Sequence, residues 1–165
     1  MHLALTGLFR AKWSADIHDE WILALLRNRP DLSRENLNRT RVLMDQQATN
    51  ALISGYHDLI PGLQLPDAND RHVLAAAICA RADVIVTFNL RDFPPDTLAP
   101  FGIEAQHPDE FISHLLDLDP NAVSGASQNH RLSLKNPPKT VDEYLRTLEA
   151  LGLPHTGSML RKYML

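Results

Sequence analysis

The stretch from Leu65 to Pro94, LPDANDRHVLAAAICARADVIVTFNLRDFP, constrains the fold most, because it reads as a helix, a turn, a strand and a polar loop in succession. Asp67 is a natural N-cap, and Asp70 falls in the first turn, where a carboxylate favours the positive end of the helix dipole. Apolar residues between 73 and 78 recur at the spacing of a helix with one buried face. The β-branched run 84–86 predicts a parallel strand covered on both faces.

Polar side chains follow this strand directly. Thr87 and Asn89 come at its carboxyl end, where open α/β sheets place their ligands, and Asp92 follows three residues later. An acid at a helix start, Asp70, therefore lies close in sequence to an oxygen-rich strand end. This arrangement is typical of a ligand site.

The segments DRHVLAAA and ADVIVTFNLRDF resemble the second half of a toxin-type, VapC-like PIN domain, a metal-dependent nuclease fold common among toxins of bacterial toxin–antitoxin pairs. The resemblance implies that Asp70 is the family's third acid. The fourth acidic position falls on Asn89, and Asp92 provides the displaced acid, as in many toxin-type members. The family's second acid, six residues after a serine, falls on Glu20 after Ser14.

Each of these residues also has a structural interpretation. Glu20 fits the solvated face of a helix, and Asp70 fits a dipole partner in a first turn. Asp92 fits the cap of a short turn, and Asn89 a loop former. The family pattern favours a role of all four in catalysis, with Glu20, Asp70 and Asp92 as metal ligands.

The implied chemistry uses Mg²⁺ or Mn²⁺. Mg²⁺ prefers carboxylate oxygens, and two such ions steady both the attacking and the leaving oxygen of a phosphodiester. Clustered acids without an ion repel one another, which raises the pKa of some members and favours metal binding. Arg71 and Arg91 flank the acids and are candidates to hold RNA phosphates, with plain surface charge as the alternative.

The rest of the chain predicts an α/β fold. Ser14 caps a helix over residues 15–28, whose buried face we predict to carry Ile17, Trp21, Ala24 and Leu25. A second helix follows Ser33, over residues 34–48. Short strands are predicted at residues 9–13, 51–53 and 101–105.

From His107 onward the pattern is helical only. Helices are predicted from Pro108, over residues 120–134, after a Thr140–Glu143 capping box, and at the C-terminus. We therefore predict a PIN-like three-layer α/β fold, with a short parallel sheet flanked by helices and a helical C-terminal tail. The predicted domains are a nuclease core over residues 1–106 and a helical extension over 107–165 packed on that core.

Composition limits the function classes only mildly. The net charge of −4 provides no global basic field for nucleic acid. The single cysteine, Cys79, excludes an internal disulfide, and the absence of a long apolar run excludes a membrane span, so we expect a cytoplasmic protein. No phosphate-binding glycine loop, serine-hydrolase motif or zinc-ligand spacing is present.

The first residues, HLALTGLF, resemble the end of the first helix of a PIN domain. The family's first strand, with its first catalytic Asp, would precede this helix, so we expect that acid and the central strand to be absent here. The expected consequence is impaired metal affinity and catalysis. We also expect the 84–86 strand to lack one neighbour, which a second chain or a rearranged segment would replace.

The resemblance implies an Mg²⁺- or Mn²⁺-dependent endoribonuclease, the toxin of a type II toxin–antitoxin pair. Its partners would be an RNA substrate and an antitoxin protein, and its assembly a homodimer. The alternative is a catalytically impaired PIN-like fragment that only binds RNA or protein, which the missing first Asp favours. A small-molecule enzyme using the same acids is less well supported, because no cofactor motif accompanies them.

Overall fold

The computed structural model describes residues 1–165. Its helices of regular α form are α1 Ala15–Asn28, α2 Arg34–Gln47, α3 Arg71–Ala80, α4 Pro95–Leu98, α5 Pro108–Leu118, α6 Pro120–Ser133, α7 Val141–Ala150 and α8 Pro154–Met164. Its strands are β1 Trp13–Ser14, β2 Leu52–Ile53, β3 Val84–Val86 and β4 Glu104–Gln106. Short 3₁₀ segments lie at His2–Leu5, His57–Gly62, Ala68–Asp70, Leu90–Asp92 and Ala99–Phe101.

The chain forms two compact units. An α/β unit comprises Arg10–Ile85 and Asn89–Ala105, and a helical unit comprises Met1–Phe9, Val86–Phe88 and Gln106–Leu165. The short parallel strands and the helical C-terminal region confirm the predicted PIN-like α/β class. The domain boundary near residue 106 stays a prediction.

Local capping signals set the helix starts in the α/β unit. The Ser14 hydroxyl accepts from the backbone N–H of Ile17, and the Ser33 hydroxyl accepts from that of Asn36. These bonds satisfy N–H groups that a first helical turn leaves without partners. Both helices begin where the sequence predicted.

The buried face of α1 differs from the prediction. His18 and Ile22 are the buried residues of this helix, whereas Ala24 and Leu25 are exposed. His18 is buried because both of its ring nitrogens have partners. Trp21 Nε1–H donates to Nδ1 at 2.9 Å, and Nε2 lies 3.0 Å from Asp45 Oδ1. A polar side chain whose hydrogen bonds are all satisfied therefore lies in the core, whereas apolar spacing alone had predicted other residues there.

The four short strands form two pairs, β1 with β2 and β3 with β4. Strand β1 pairs with β2 in parallel, with Trp13 opposite Leu52. Strand β3 pairs with β4, and their hydrogen bonds from Glu104 N–H to Asp83 C=O and from Thr87 N–H to Gln106 C=O advance along both strands together. This second pair is therefore also parallel.

The core of the α/β unit packs around α3, whose residues 74–77 are all buried. The helix ends at Ala80, and its C-cap residue Arg81 adopts the left-handed conformation. Strand β3 has Ile85 buried and Val86 exposed to 44%, so the prediction of a strand covered on both faces was wrong. The buried residues around α3 are Tyr56, Leu63, Ile85, Phe93, Leu98 and Ile103.

The helical unit has its own core between α5, α6, α7 and α8. Its buried members are Leu115, Leu116, Val123, Tyr144, Leu145 and Leu160. The capping box predicted at the start of α7 is present, since Thr140 and Glu143 bond each other's backbone N–H groups. None of the helices combines the length and the apolar character that a membrane span requires.

Candidate metal centre

Three carboxylates converge in the α/β unit. Asp67, Asp70 and Asp92 each offer one oxygen, and these oxygens all lie within 4.8 Å of one another. All three side chains are partly buried. Two of them, Asp70 and Asp92, are acids predicted from the sequence, and the structure brings them together.

The first two acids are placed by a tight turn before α3. The Asp67 carboxylate caps the Ala68–Asp70 segment by accepting from Asn69 N–H at 2.8 Å. The Asp70 backbone N–H donates to Asp67 C=O at 3.2 Å. This closed turn sets two acids three residues apart on the same side of the chain, directly before the first residue of α3.

The third acid arrives from the loop after β3. Asp92 ends the 3₁₀ segment Leu90–Asp92, and the side-chain amide of Asn89 donates to its carboxylate. Phe93, the next residue, is buried in the core around α3 and anchors this loop. Asn89 therefore orients Asp92, whereas Asp92 itself completes the cluster.

Asp70 is the electrostatically strained member of the cluster. Burial raises the pKa of its carboxyl, and the negative charges of Asp67, Asp92 and Glu20 raise that pKa further, while His72 opposes the shift. A bound cation would remove this penalty, because an opposite charge favours the ionised form. Three converging carboxylate oxygens suit a hard divalent ion.

Glu20 lies outside this group of three. Its Oε1 pairs with His72 Nε2 at 2.8 Å, which links α1 to α3. Its charge still acts on Asp70. The predicted role of Glu20 as a metal ligand stays a prediction, as do the ligand roles of Asp70 and Asp92.

The two arginines flank the cluster in different ways. Arg71 is partly buried and its Nε–H donates to Ala68 C=O at 3.0 Å, so its backbone contact braces the same turn that holds Asp70. Arg91 is exposed in the Leu90–Asp92 segment. Their proposed contacts with RNA phosphates stay predictions.

Sequence reasoning missed two residues of this centre. Asp67 was interpreted only as an N-cap, although its spacing of three from Asp70 was a signal that both acids face one way. The sequence analysis assigned no role to His72, whose side chain is only 12% exposed. No local signal connects it with Glu20, which lies 52 residues earlier.

Comparison with known proteins identifies the family of the chain. The family model described as PIN domain matches residues 1–91, and the model described as VapC50 C-terminal domain matches residues 108–162. The "Putative ribonuclease VapC50" of Mycobacterium tuberculosis (strain ATCC 25618 / H37Rv) is 43% identical over 104 residues, covering 63% of this chain. The alignment covers 59% of that relative, so the chain spans about three fifths of its length.

No solved structure matches the chain. The PIN domain match covers more than half of the 165 residues and includes Glu20, Asp67 and Asp70. Its C-terminal end falls at Arg91, one residue before Asp92. The chain belongs to the PIN domain family.

Proposed function

We propose that this protein is a metal-dependent endoribonuclease of PIN type and the toxin of a type II toxin–antitoxin pair. The observation that carries the proposal is the convergence of Asp67, Asp70 and Asp92 within 4.8 Å. The raised pKa of Asp70 supports it, because this carboxylate is destabilised by burial and by its acidic neighbours until a cation is present. The relative named as a putative ribonuclease supports the substrate class.

In this proposal the chain's own residues bind the metal ion and orient the carboxylates that hold it. Asp67, Asp70 and Asp92 would hold Mg²⁺ or Mn²⁺, with Glu20 as a further ligand from α1. When bound there, such an ion would supply Lewis-acid activation of a water molecule for attack on a phosphodiester. Asn89 keeps Asp92 in place, since its amide donates to that carboxylate.

The substrate has to reach a site whose own charge is negative. Arg71 and Arg91 are the cations nearest to Asp70 and Asp92 in sequence, and we propose that they hold RNA phosphates on either side of the cluster. Because such contacts neutralise phosphate charge, RNA affinity would fall as salt rises. The net charge of −4 means that this local attraction, and no global field, recruits RNA.

The proposed partners rest on the resemblance to toxin-type PIN domains and on the PIN domain match. We propose an antitoxin protein as the inhibitor, a homodimer as the assembly and the cytoplasm as the compartment. Size-exclusion chromatography with light scattering tests the assembly, with a mass of twice 18.5 kDa expected. A monomer across the accessible concentration range would remove the homodimer from the proposal.

Cleavage of single-stranded RNA by this chain, followed across a Mn²⁺ titration, tests the activity. We expect cleavage that depends on the ion and is lost in Asp70→Asn. Asp83→Asn is the matched control, because Asp83 is an exposed acid near the other end of α3 and outside the cluster. Equal cleavage by wild type and Asp70→Asn would contradict the proposal.

The alternative is a module that binds RNA or protein without cleaving it. It makes the opposite prediction in the same experiment, namely RNA binding with no turnover at any Mn²⁺ concentration.

A further inference from the structure

His72 and Glu20 form a pair, and the charges of both act on Asp70 of the acidic cluster. The imidazole Nε2 lies 2.8 Å from Glu20 Oε1, and the histidine side chain is 12% exposed while that of Glu20 is 51% exposed. The histidine is thus fixed in the fold, and the glutamate extends from α1 into solvent. The only hydrogen bond of the Glu20 side chain within the chain is this one.

The other ring nitrogen of His72 has no partner. Nδ1 is buried and makes no hydrogen bond. Because a carboxylate oxygen accepts, the ring carries a proton on Nε2, the nitrogen that lies against Glu20 Oε1. In that form Nε2–H donates to Glu20, and the Glu20 bond is the one polar interaction of the ring.

His18 in the same unit shows what a purely structural histidine looks like here. Its ring is fully buried, and both nitrogens are satisfied by Trp21 and Asp45. His72 differs, because one nitrogen is left without a partner while the other is committed to an exposed carboxylate. A carboxylate that binds metal is commonly held by a second hydrogen bond of this type.

We propose that His72 is a positioning residue that holds Glu20 through Oε1 and leaves Oε2 for a divalent ion bound at the acidic cluster. The inference rests on the proposed function, because it concerns the same metal centre. It assigns to His72 no contact with substrate and no proton transfer. Loss of its Nε2–H would let the glutamate side chain sample other rotamers, so that ion binding would pay the cost of ordering it.

The geometry of the pair predicts which substitutions are tolerated. The amide of a glutamine at position 72 reaches as far as the imidazole Nε2, whereas that of an asparagine reaches only as far as Nδ1. Since Nδ1 has no partner, its loss should cost nothing. His72→Gln should therefore keep the function that His72→Asn and His72→Leu lose.

Mn²⁺ affinity measured by isothermal titration calorimetry tests this series without any assay of cleavage. We expect His72→Leu and His72→Asn to raise the Mn²⁺ Kd about tenfold, the lower end of the usual effect of outer-shell partners, and His72→Gln to stay within about twofold of wild type. His57→Gln is the matched control, because His57 pairs with Asp16 at 3.3 Å in the same unit and its side chain is 63% exposed. Its Mn²⁺ Kd should not change.

A double-mutant cycle separates positioning from general packing. In a Glu20→Ala background, His72→Leu should have no further effect on Mn²⁺ affinity, because the residue it acts through is gone. Equal affinity of wild type and His72→Leu, or equal weakening by His72→Gln and His72→Asn, would overturn the inference. Absence of Mn²⁺ binding by the wild type would instead overturn the proposed metal centre, and this inference with it.

Discussion

Two carboxylates in this protein, Asp109 and Asp70, occupy opposite environments. Asp109, in the first turn of α5, accepts from the backbone N–H groups of Thr156 at 2.7 Å and His155 at 3.0 Å. Burial alone would raise the pKa of Asp109, but these donors outweigh it and hold that pKa below its ordinary value. For Asp70, burial and the charges of the neighbouring acids both raise the pKa of the carboxyl.

The difference separates a structural acid from a candidate functional one. The N–H groups at the start of α8 are donors that a helix leaves unpaired, so Asp109 both caps α8 and joins it to α5. Asp70 gains no comparable donors from the chain and lies beside Asp67 and Asp92. An acid that the protein itself does not compensate is the one that a cation would stabilise.

The largest effect that this comparison predicts is that of Asp70→Asn on the metal centre. Removing a central ligand should weaken Mn²⁺ binding and slow metal-dependent RNA cleavage by about 100-fold or more, beyond the usual effect of an outer-shell change. The metal-free protein should be at least as stable as wild type, because a charge that burial and repulsion disfavour is gone. Urea unfolding in EDTA checks this second part, and a clear loss of stability would mean that Asp70 is a structural acid.

Asp109→Ala should show the reverse pattern. Two N–H groups at the start of α8 lose a charged acceptor, so we expect a loss of about 1.5–3 kcal/mol in the free energy of unfolding. Mn²⁺ affinity should stay at the wild-type level. Asp117→Ala on the same helix is the control, because Asp117 is exposed, and it should change the stability by less than about 0.5 kcal/mol.

Asp67 is a structural cap and also a proposed metal ligand, and two substitutions should separate these roles. Asn caps a helix about as well as Asp, so Asp67→Asn should preserve stability while weakening Mn²⁺ binding roughly tenfold, or about 1.4 kcal/mol. Asp67→Ala should lower Mn²⁺ affinity and also cost about 1 kcal/mol of stability. Calorimetry and urea unfolding of both variants test this, and unchanged affinity in Asp67→Asn would exclude Asp67 from the centre.

The smallest predicted effect is a difference in pH dependence, measured in EDTA. The raised folded pKa of Asp70 means that its ionised form opposes folding above that pKa, and the opposition fades as the pH falls through it. The lowered folded pKa of Asp109 means that its contribution is present above the ordinary Asp pKa and is lost only as the pH falls through the lowered value.

The differences in the free energy of unfolding between wild type and the two variants Asp70→Asn and Asp109→Ala should therefore begin to change at different pH values. As the pH falls from 7, the advantage of Asp70→Asn should begin to shrink first, whereas the deficit of Asp109→Ala should stay constant until the pH approaches the ordinary Asp range. Urea unfolding at half-unit pH intervals measures both. Parallel pH profiles of the two differences would show that the environments of the two acids are alike.

Local signals predicted the helix starts well. Ser14, Ser33 and Thr140 cap helices where expected, because a cap depends on a side chain and an N–H group two or three residues later. The same reasoning identified Asp67 as a cap. Interactions between residues that are close in sequence can therefore be predicted from the local sequence.

Interactions between distant residues could not be predicted in this way. The buried position of His18 depends on Asp45, which is 27 residues away and whose pKa is held low by Trp13 and His18 donation against the effect of burial. The meeting of Asp67 with Asp92, and of Glu20 with His72, likewise depends on tertiary packing. Family resemblance supplied Asp70, Asp92 and Glu20 as candidates, whereas spacing alone left each with a structural interpretation.

The most direct test of the central claim is an anomalous difference map from crystals of this protein grown with Mn²⁺. We predict a peak bonded to carboxylate oxygens of Asp67, Asp70 and Asp92, with no such peak in crystals of Asp70→Asn. The absence of a peak among these three acids in the wild type would contradict the claim. So would a peak only in the cavity of about 390 Å³ in the helical unit, which is lined by His107, His114 and His155 among others.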